Sequence, residues 1–459
     1  MSFATALDAS TNQFSRRQEA VLIAAVAAAY VAYLFTSEYI KLYYDAEDYW
    51  QLGHRFYHLG RFELLAYDDS LRGYSYPLVN FLCLAVRKAL QVEAITVVKC
   101  FNVGLAAFFF GFLAPRLWQV TTHTVPLTLA RRCLFAALGF IFWRGYFNFS
   151  LSDFPALIAL VASLWQVQQR GLRAAFLAGV ALALAVNIRS IYLASVPTVL
   201  LLVFLSPRQL WWPRLLVLSL GAGLILAPQW LINRRHFNAN TPLVLAVSPT
   251  LNIQNLYLEK LKWGLLNIKC ETAIGWQLPS GQMTFLDAKG ADLMLAENLN
   301  DFTSTWHYLQ VTLRHPRVIA SSYVRHIFAG LDITHPTPYI KRWEPSQWLQ
   351  GLNYTLWFWV VLAAFRFRPT MRQGLVLGSL LLPCLAVLPM SMEIRYLLPL
   401  HLLLLSVVAF DSWPVWAVAT IRRAAITAVA SVLFVWCCFS LSANVTKSVE
   451  PRYHAHLLK

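Results

Sequence analysis

Apolar residues run through this 459-residue chain in long blocks separated by short polar stretches. About 20 mostly apolar residues carry a helix across a hydrocarbon core, so such blocks predict membrane spans. About eleven satisfy that rule, at roughly 20–38, 94–114, 127–147, 151–168, 173–187, 189–205, 214–232, 350–366, 373–390, 394–410 and 418–441. The expected fold class is an all-α polytopic membrane protein. The first block follows Arg16 and Arg17 but continues into bulky "YLFTSEYIKLYY" without a small-residue cleavage site, which predicts a retained anchor.

Between the blocks lie two long segments, about 39–93 and 233–349. In the first, Tyr49, Leu52, Phe56 and Leu59 recur at three and four residues after Asp45, the pattern of a helix lying on a membrane surface. "GYSYPLVNFLCLAVRKAL", 73–90, is apolar but short and ends in Arg87-Lys88, which predicts an interfacial helix. "HPRVIASSYVRHIF", 315–328, predicts another surface helix in the second segment. The chain then divides into a transmembrane module at 1–240 carrying the first outer loop, an outer segment at 241–349 that could face an acceptor, and C-terminal transmembrane helices at 350–459.

Composition agrees with membrane insertion: 58% of residues are hydrophobic, 13% are charged and the mean hydropathy is +0.52. A net charge of +16 invites nucleic acid as a partner, but Lys and Arg are scattered and form no basic stripe with interleaved aromatics, so that class is set aside. Cys83, Cys100, Cys133, Cys270, Cys384, Cys437 and Cys438 show neither Cys-x-x-Cys nor Cys/His ligand spacing. Neither a disulfide framework nor a zinc site is expected.

Charge does orient the chain. Lys and Arg of short loops are retained on the cytoplasmic side. With the N-terminus inside, that side receives Arg116, Arg131 and Arg132; Arg170 and Arg173; Arg208 and Arg214; Arg366, Arg368 and Arg372; and Arg422 and Arg423. Both long segments then lie outside.

Some arginines break this rule. Arg144, Arg189, Arg234, Arg235 and Arg395 fall at outer ends of spans, and Arg189 in "AVNIRSIYL" stands between two apolar runs. Charges near membrane depth are costly and usually pair, line an aqueous cavity or bind a charged substrate. The same outer level holds Asp45, Glu47 and Asp48 in "YYDAEDYW", Asp153 in "FNFSLSDFP" and Glu393 in "SMEIRYLLP". An outward-facing polar cavity accounts for them together.

Plainer roles compete at each position. Asp45 with Asp48 can be an N-cap and first-turn acid favoured by the helix dipole, and Asp153, two residues before Pro155, can cap its own span. Arg234 and Arg235 can be a solvated span terminus, and Glu393 can simply pair with Arg395. Arg189 has the weakest such alternative.

A carboxylate and several arginines at an outer membrane surface suit attack by a hydroxyl on a lipid-linked phosphosugar. The carboxylate takes the acceptor's proton, and arginines hold the phosphate that leaves. No P-loop or dinucleotide glycine fingerprint is present; "GAG" at 221–223 lies within a span and carries no such meaning.

A first span followed by the acidic "DAEDY" helix, "RGYSYPL", "SLSDFPALI", "LALAVNIRS", "APQWLINRRHFN" and the late "IRYLLPL" together resemble the GT-C glycosyltransferases. These include the protein O-mannosyltransferases, the lipid A aminoarabinose transferases and bacterial polyprenyl-phosphate-sugar transferases. The resemblance runs through most of the first 240 residues and returns near 390–400. It implies a GT-C-like bundle with interfacial helices in the first outer loop, a polyprenyl-phosphate-sugar donor, and an inverting displacement at the outer face of a bacterial inner membrane.

Carried onto this sequence, the family's first-loop acid falls on Asp45, with Asp48 as fallback, and its second acid on Asp153, which could orient the acceptor or coordinate a metal. The phosphate ligands fall on Arg189 and Arg395, with Arg234 and Arg144 beside them; Tyr44, Tyr74 and Glu393 are candidate sugar or acceptor contacts. Some relatives use a divalent metal and others none; no compact ligand motif is present, and no cofactor is expected as a requirement. A pilin or other exported protein, a glycolipid headgroup and a cell-wall glycan all remain open as acceptors. The sugar is open between a pentose such as arabinofuranose and a hexose. The competing class is a flippase for a polyprenyl-linked lipid, which would also want a basic cavity, but transporters place charges along a path across the bilayer. A structural scaffold would leave Arg189 and the acids without a role.

Overall fold

The computed structural model describes residues 16–122, 127–205, 211–249, 252–275, 278, 281–411 and 420–451. Arg208 lies outside the described residues. The chain is mostly helical, and each apolar block coincides with a helix. Among the described residues four of these, Arg16–Thr36, Ala94–Thr122, Trp211–Phe237 and Ile421–Thr446, are long and apolar enough to cross a membrane. Others, such as Asp153–Val167, Leu172–Ile188 and Met371–Val387, are shorter. At 1.5 Å per residue, a 15-residue helix such as Asp153–Val167 spans about 22 Å, short of the ~30 Å of a typical hydrocarbon core.

The chain forms two compact units, Met1–Val247 with Arg368–Pro383, and Ser248–Phe367 with Cys384–Lys459. In the first unit, Leu172–Ile188 lies against Trp211–Phe237 at closest backbone approach. A β-carbon on Gly179 would overlap the Leu218 carbonyl, and one on Gly221 would overlap that of Phe176. Small residues let helices pack closely in lipid, where association relies on van der Waals contact. Gly221, the first residue of the "GAG" set aside above, is therefore a packing position.

Arginines bind the other helices together at their ends. Arg116 grips Glu19 with Nε at 2.9 Å and Nη2 at 2.7 Å, while buried Arg132 reaches the same carboxylate at 3.4 Å and Gln119 at 3.1 Å. Three helices are thereby joined through one acid. Arg214 donates to the Val167 and Gln169 carbonyls, and Arg372 to the Gln168 side chain and carbonyl. Both guanidiniums sit at the negative end of Asp153–Val167, whose last carbonyls lack helical partners.

The second unit amends the all-α expectation. Strand Asn267–Ala273 pairs antiparallel with Gly281–Leu286 and parallel with Tyr339–Ile340. A second, two-residue hairpin joins Tyr57–His58 to Arg61–Phe62 in the first unit. In Gly281–Leu286, Met283 and Phe285 are fully buried and alternate with Gln282, Thr284 and Leu286, the period-two pattern of a half-buried strand. That alternation is short and was passed over among longer helical runs. The strand also holds the chain just beyond the last spanning helix: Leu286 N–H donates to Ser448 O at 2.8 Å, and Glu450 N–H to Thr284 O at 2.9 Å. The expected surface helix at 315–328 is Pro316–Leu331. It buries Ile319, Ser322, His326 and Ala329 along one side and exposes Arg317, Val324 and Ile327 on another.

Substituting Gly179→Val should push the two helices apart and cost about 1–3 kcal/mol of stability in detergent, read as a lowered unfolding temperature. Gly223→Ala, where no atom lies within 4 Å of the added carbon, should leave the unfolding temperature unchanged or slightly raised.

Candidate functional site

The helix Asp45–Leu52 opens the first long segment. Its first turn carries Asp45, Glu47 and Asp48, whose negative charge suits the N-terminal end of the helix dipole, and it buries Ala46, Tyr49, Trp50 and Leu52. The residue before it, Tyr44, is 41% exposed and sits at φ 44°, ψ −123°, a backbone conformation that a non-glycine residue adopts at a cost of about 1–3 kcal/mol. Tyr44 makes no side-chain cap, and Asp45 is the first helical residue; the capping role considered for Asp45 is not the one it takes.

Asp45 instead meets Arg72, its Oδ1 lying 3.2 Å from Arg72 Nη2. Arg72 is held from several sides. Its backbone N–H donates to Asp69 Oδ1 at 2.7 Å, and its carbonyl accepts from Tyr67 Oη at 3.0 Å. Its guanidinium lies over the Tyr49 ring, 4.4 Å from the centroid, while Nη1 donates to the Tyr49 hydroxyl at 2.8 Å. Arg72 was absent from the sequence-derived set although it stands inside the quoted "RGYSYPL". It belongs to no span end, so a search for arginines that violate the charge rule could not find it.

The Tyr49 hydroxyl passes the connection on, donating to Ser152 Oγ at 2.9 Å. Ser152 immediately precedes Asp153, which opens Asp153–Val167, is 1% exposed and forms an ion pair with Arg189. Arg189 occupies the extended residue closing Leu172–Ile188 and keeps a fifth of its side-chain surface exposed. Beneath Tyr49, Asn80 Nδ2 donates to its carbonyl at 2.9 Å, Ser150 Oγ donates to Asn80 Oδ1 at 2.7 Å, and Tyr76 Oη lies 3.1 Å from Ser150 Oγ. The structure thus joins Asp45, Asp153 and Arg189 through Arg72, Tyr49 and Ser152.

A polar ladder lies behind this group. Asn187 accepts from Ser75 N–H and donates to Gln229, Gln229 donates to Asn233, and Asn233 donates to the Thr241 and Leu243 carbonyls. Tyr74 belongs to this inner layer: it is 4% exposed and its hydroxyl donates to Ile225 O at 3.0 Å. The structure therefore places this candidate sugar or acceptor contact in the packed layer, with its hydroxyl bonded to a backbone carbonyl. Buried Lys99, unnoticed within its apolar block, donates to Tyr39 O at 2.8 Å and Ser37 Oγ at 3.2 Å, anchoring the chain as it leaves the first span.

Within the first unit, Arg144 and Arg234 make other contacts. Arg144 donates to the Ile141 carbonyl at 2.5 Å and faces the Tyr33 and Phe140 rings. Arg234 is exposed over Trp230, and neighbouring Arg235 pairs with Glu63 at 2.6 Å. In the second unit Arg395 Nε pairs with Glu393 Oε2 at 2.6 Å, the pairing weighed from the sequence. Glu393 Oε1 accepts from Tyr396, whose hydroxyl lies 3.3 Å from Lys260 Nζ. Among the described residues no group of three or more His, Cys, Asp or Glu side chains is placed to hold a metal.

No protein-family model and no curated protein matches this sequence.

The electrostatics distinguish the acids. Burial pushes the Asp48 carboxyl above the usual aspartate range; Arg72 opposes this, and the Asp45, Glu47 and Asp69 carboxylates add to it. Asp45 has the guanidinium in direct contact, which favours its anion. The arrangement offers one carboxylate held in orientation by a guanidinium, one acid more ready to hold a proton, and in Arg189 an arginine with a fifth of its side-chain surface exposed.

Because the folded state raises the Asp48 pKa, this residue stabilises the fold at low pH, and that contribution is lost as pH rises through the raised value. Asp48→Asn should therefore match the parent protein below about pH 3.9 and unfold at a higher temperature near pH 7, as thermal scans across pH would read. An unfolding temperature that falls at neutral pH would contradict this account.

Proposed function

We propose that this chain is a membrane glycosyltransferase of GT-C type, moving a sugar from a polyprenyl-phosphate donor to an acceptor hydroxyl at the outer face of a bacterial inner membrane. The observation that carries the reading is the contact chain from Asp45 through Arg72, Tyr49 and Ser152 to the residue preceding the Asp153–Arg189 pair. It draws together an acid and an arginine from sequence segments more than a hundred residues apart, the groups such a reaction needs. The four helices able to cross a membrane support an embedded chain; in this reading the shorter apolar helices complete about eleven crossings.

In the proposed reaction the acceptor oxygen attacks the anomeric carbon while its proton passes to Asp45. The bond from that carbon to the phosphate oxygen breaks on the opposite side, and its electron pair leaves with the polyprenyl phosphate. A single displacement inverts the anomeric centre. Arg189, oriented by Asp153, neutralises charge gathering on the leaving phosphate. Arg72 keeps Asp45 ionised and turned toward the acceptor. Asp48 is the alternative base. The proposed displacement does not itself call for a cofactor, a divalent metal stays open as an aid to the leaving phosphate, and the acceptor is an exported protein or an envelope glycolipid.

Mass spectrometry of exported proteins and glycolipids from cells with and without the chain should reveal a sugar-sized mass difference, which names the sugar class and the acceptor together. Asp45→Asn should abolish that product, lowering transfer by about 10²–10⁴-fold while the protein still accumulates in the membrane. Undiminished product in this variant would end the assignment of Asp45. Movement of labelled carrier lipid in reconstituted vesicles, with no glycoside formed, would favour a flippase instead.

A further inference from the structure

The second unit carries an apolar surface that neither the fold nor the proposed reaction uses. On the helix Thr305–Arg314, Trp306 is 62% exposed, Leu309 41% and Leu313 68%. At 100° per residue these positions fall within about 60° of one another around the axis. Tyr308 and Val311 occupy the opposite side and are buried in a cluster with Leu261, Leu293 and Ile319. The helix is already packed on one face, and its other face presents an indole and two leucines outward.

The height of this face relative to a bilayer follows from backbone bonds within the same unit. The spanning helix Ile421–Thr446 ends two residues before Ser448, and Ser448 and Glu450 bond to the strand Gly281–Leu286. Asp287 follows that strand directly and caps Ala288–Ala296 through Gly290 N–H. Leu293 of that helix enters the cluster that holds Tyr308 and Val311. A continuous set of contacts therefore ties the exposed stripe to the water-side end of a membrane span.

The charges beside the stripe are mainly basic. Arg314 closes the helix, is two-thirds exposed and leans on Glu297 at 3.3 Å, a carboxylate it shares with His315. Arg317, in the first turn of the following helix Pro316–Leu331 and four residues past Leu313 in the chain, is exposed. Trp favours the boundary between acyl chains and headgroups, and arginine favours the phosphates just above it.

We infer that the Trp306–Leu309–Leu313 face docks on the bilayer, with Arg317 and Arg314 taking anionic lipid headgroups. The occupant is a lipid surface, because the stripe combines interfacial anchoring chemistry with cations at its edge and is tethered to the end of a span. This docking needs only an embedded chain and does not rest on glycosyl transfer. It turns the segment expected to meet an acceptor into a membrane-lying platform.

The test places single nitroxides through Trp306→Cys, Leu309→Cys, Leu313→Cys and, as a water-facing control, Asp292→Cys. The full chain is used, with exposed Cys100, Cys133 and Cys437 replaced by serine. In nanodiscs containing phosphatidylglycerol, oxygen should collide with the three stripe sites more often than a water-soluble nickel chelate does, and the order should reverse at position 292. Arg317→Gln should shrink the contrast, and so should nanodiscs of phosphatidylcholine alone. Nickel access at the stripe equal to that at position 292 would overturn docking, as would low collision with both reagents, which would put the stripe inside protein. A contrast indifferent to both lipid charge and Arg317 would overturn the headgroup assignment.

Discussion

The Tyr49 side chain is the point on which the first unit's polar architecture turns. Its ring, 4% exposed, lies beneath the Arg72 guanidinium; its hydroxyl accepts from that guanidinium and donates to Ser152; and its carbonyl is taken by Asn80. In a low-dielectric interior an unpartnered polar group costs several times what the same group costs in water, so such a chain is held as a unit or not at all. Losing the hydroxyl would orphan Ser152 on one side and release Arg72 on the other. The orientation of Asp45 therefore depends on a residue that carries no charge.

The arginines divide by what they meet. Arg116 and Arg132 share a carboxylate, Arg214 and Arg372 close one helix end, and Arg72 and Arg189 each face an aspartate at the opposite end of the same unit. Arginines that the positive-inside rule would assign to one side of a membrane also fasten helices, since a guanidinium near hydrocarbon must find an acceptor wherever it is placed. Arg214 and Arg372 meet carbonyls at a helix C-terminus, where donors are wanted, and Arg116 and Arg132 meet the first-turn carboxylate of Glu19.

Legibility differed from element to element for physical reasons. Long apolar runs and the helix opening at Asp45 could be read directly, because helix formation is local and its period is written in consecutive residues. The expected period ran on to Leu59, but the α-helix ends at Leu52 and Leu59 lies 89% exposed in the turn between Tyr57–His58 and Arg61–Phe62. Strand Gly281–Leu286 alternates over only six residues, and Asn267–Ala273 becomes a strand through partners at distant positions. Asp153 and Arg189 were recognised as costly charges and do pair. Arg72 and Tyr49 were missed as a site because one lies in a polar loop and the other looks like an ordinary apolar helix position. Tyr74 is a polar-tipped ring whose burial and bond to the Ile225 carbonyl could not be read from its neighbours in sequence.

The sequence by itself determined where the apolar helices form and which charges are too expensive to be left without partners; of the eleven spans it predicts, four described helices are long and apolar enough to cross a membrane. Those are properties of composition and local period. Only the tertiary structure decided which partner each charge receives, that Gly179 and Gly221 set the distance between two helices, and that Asp45 connects to Ser152 at all. Such choices depend on distances between residues remote in the chain. Neither composition nor local period carries those distances.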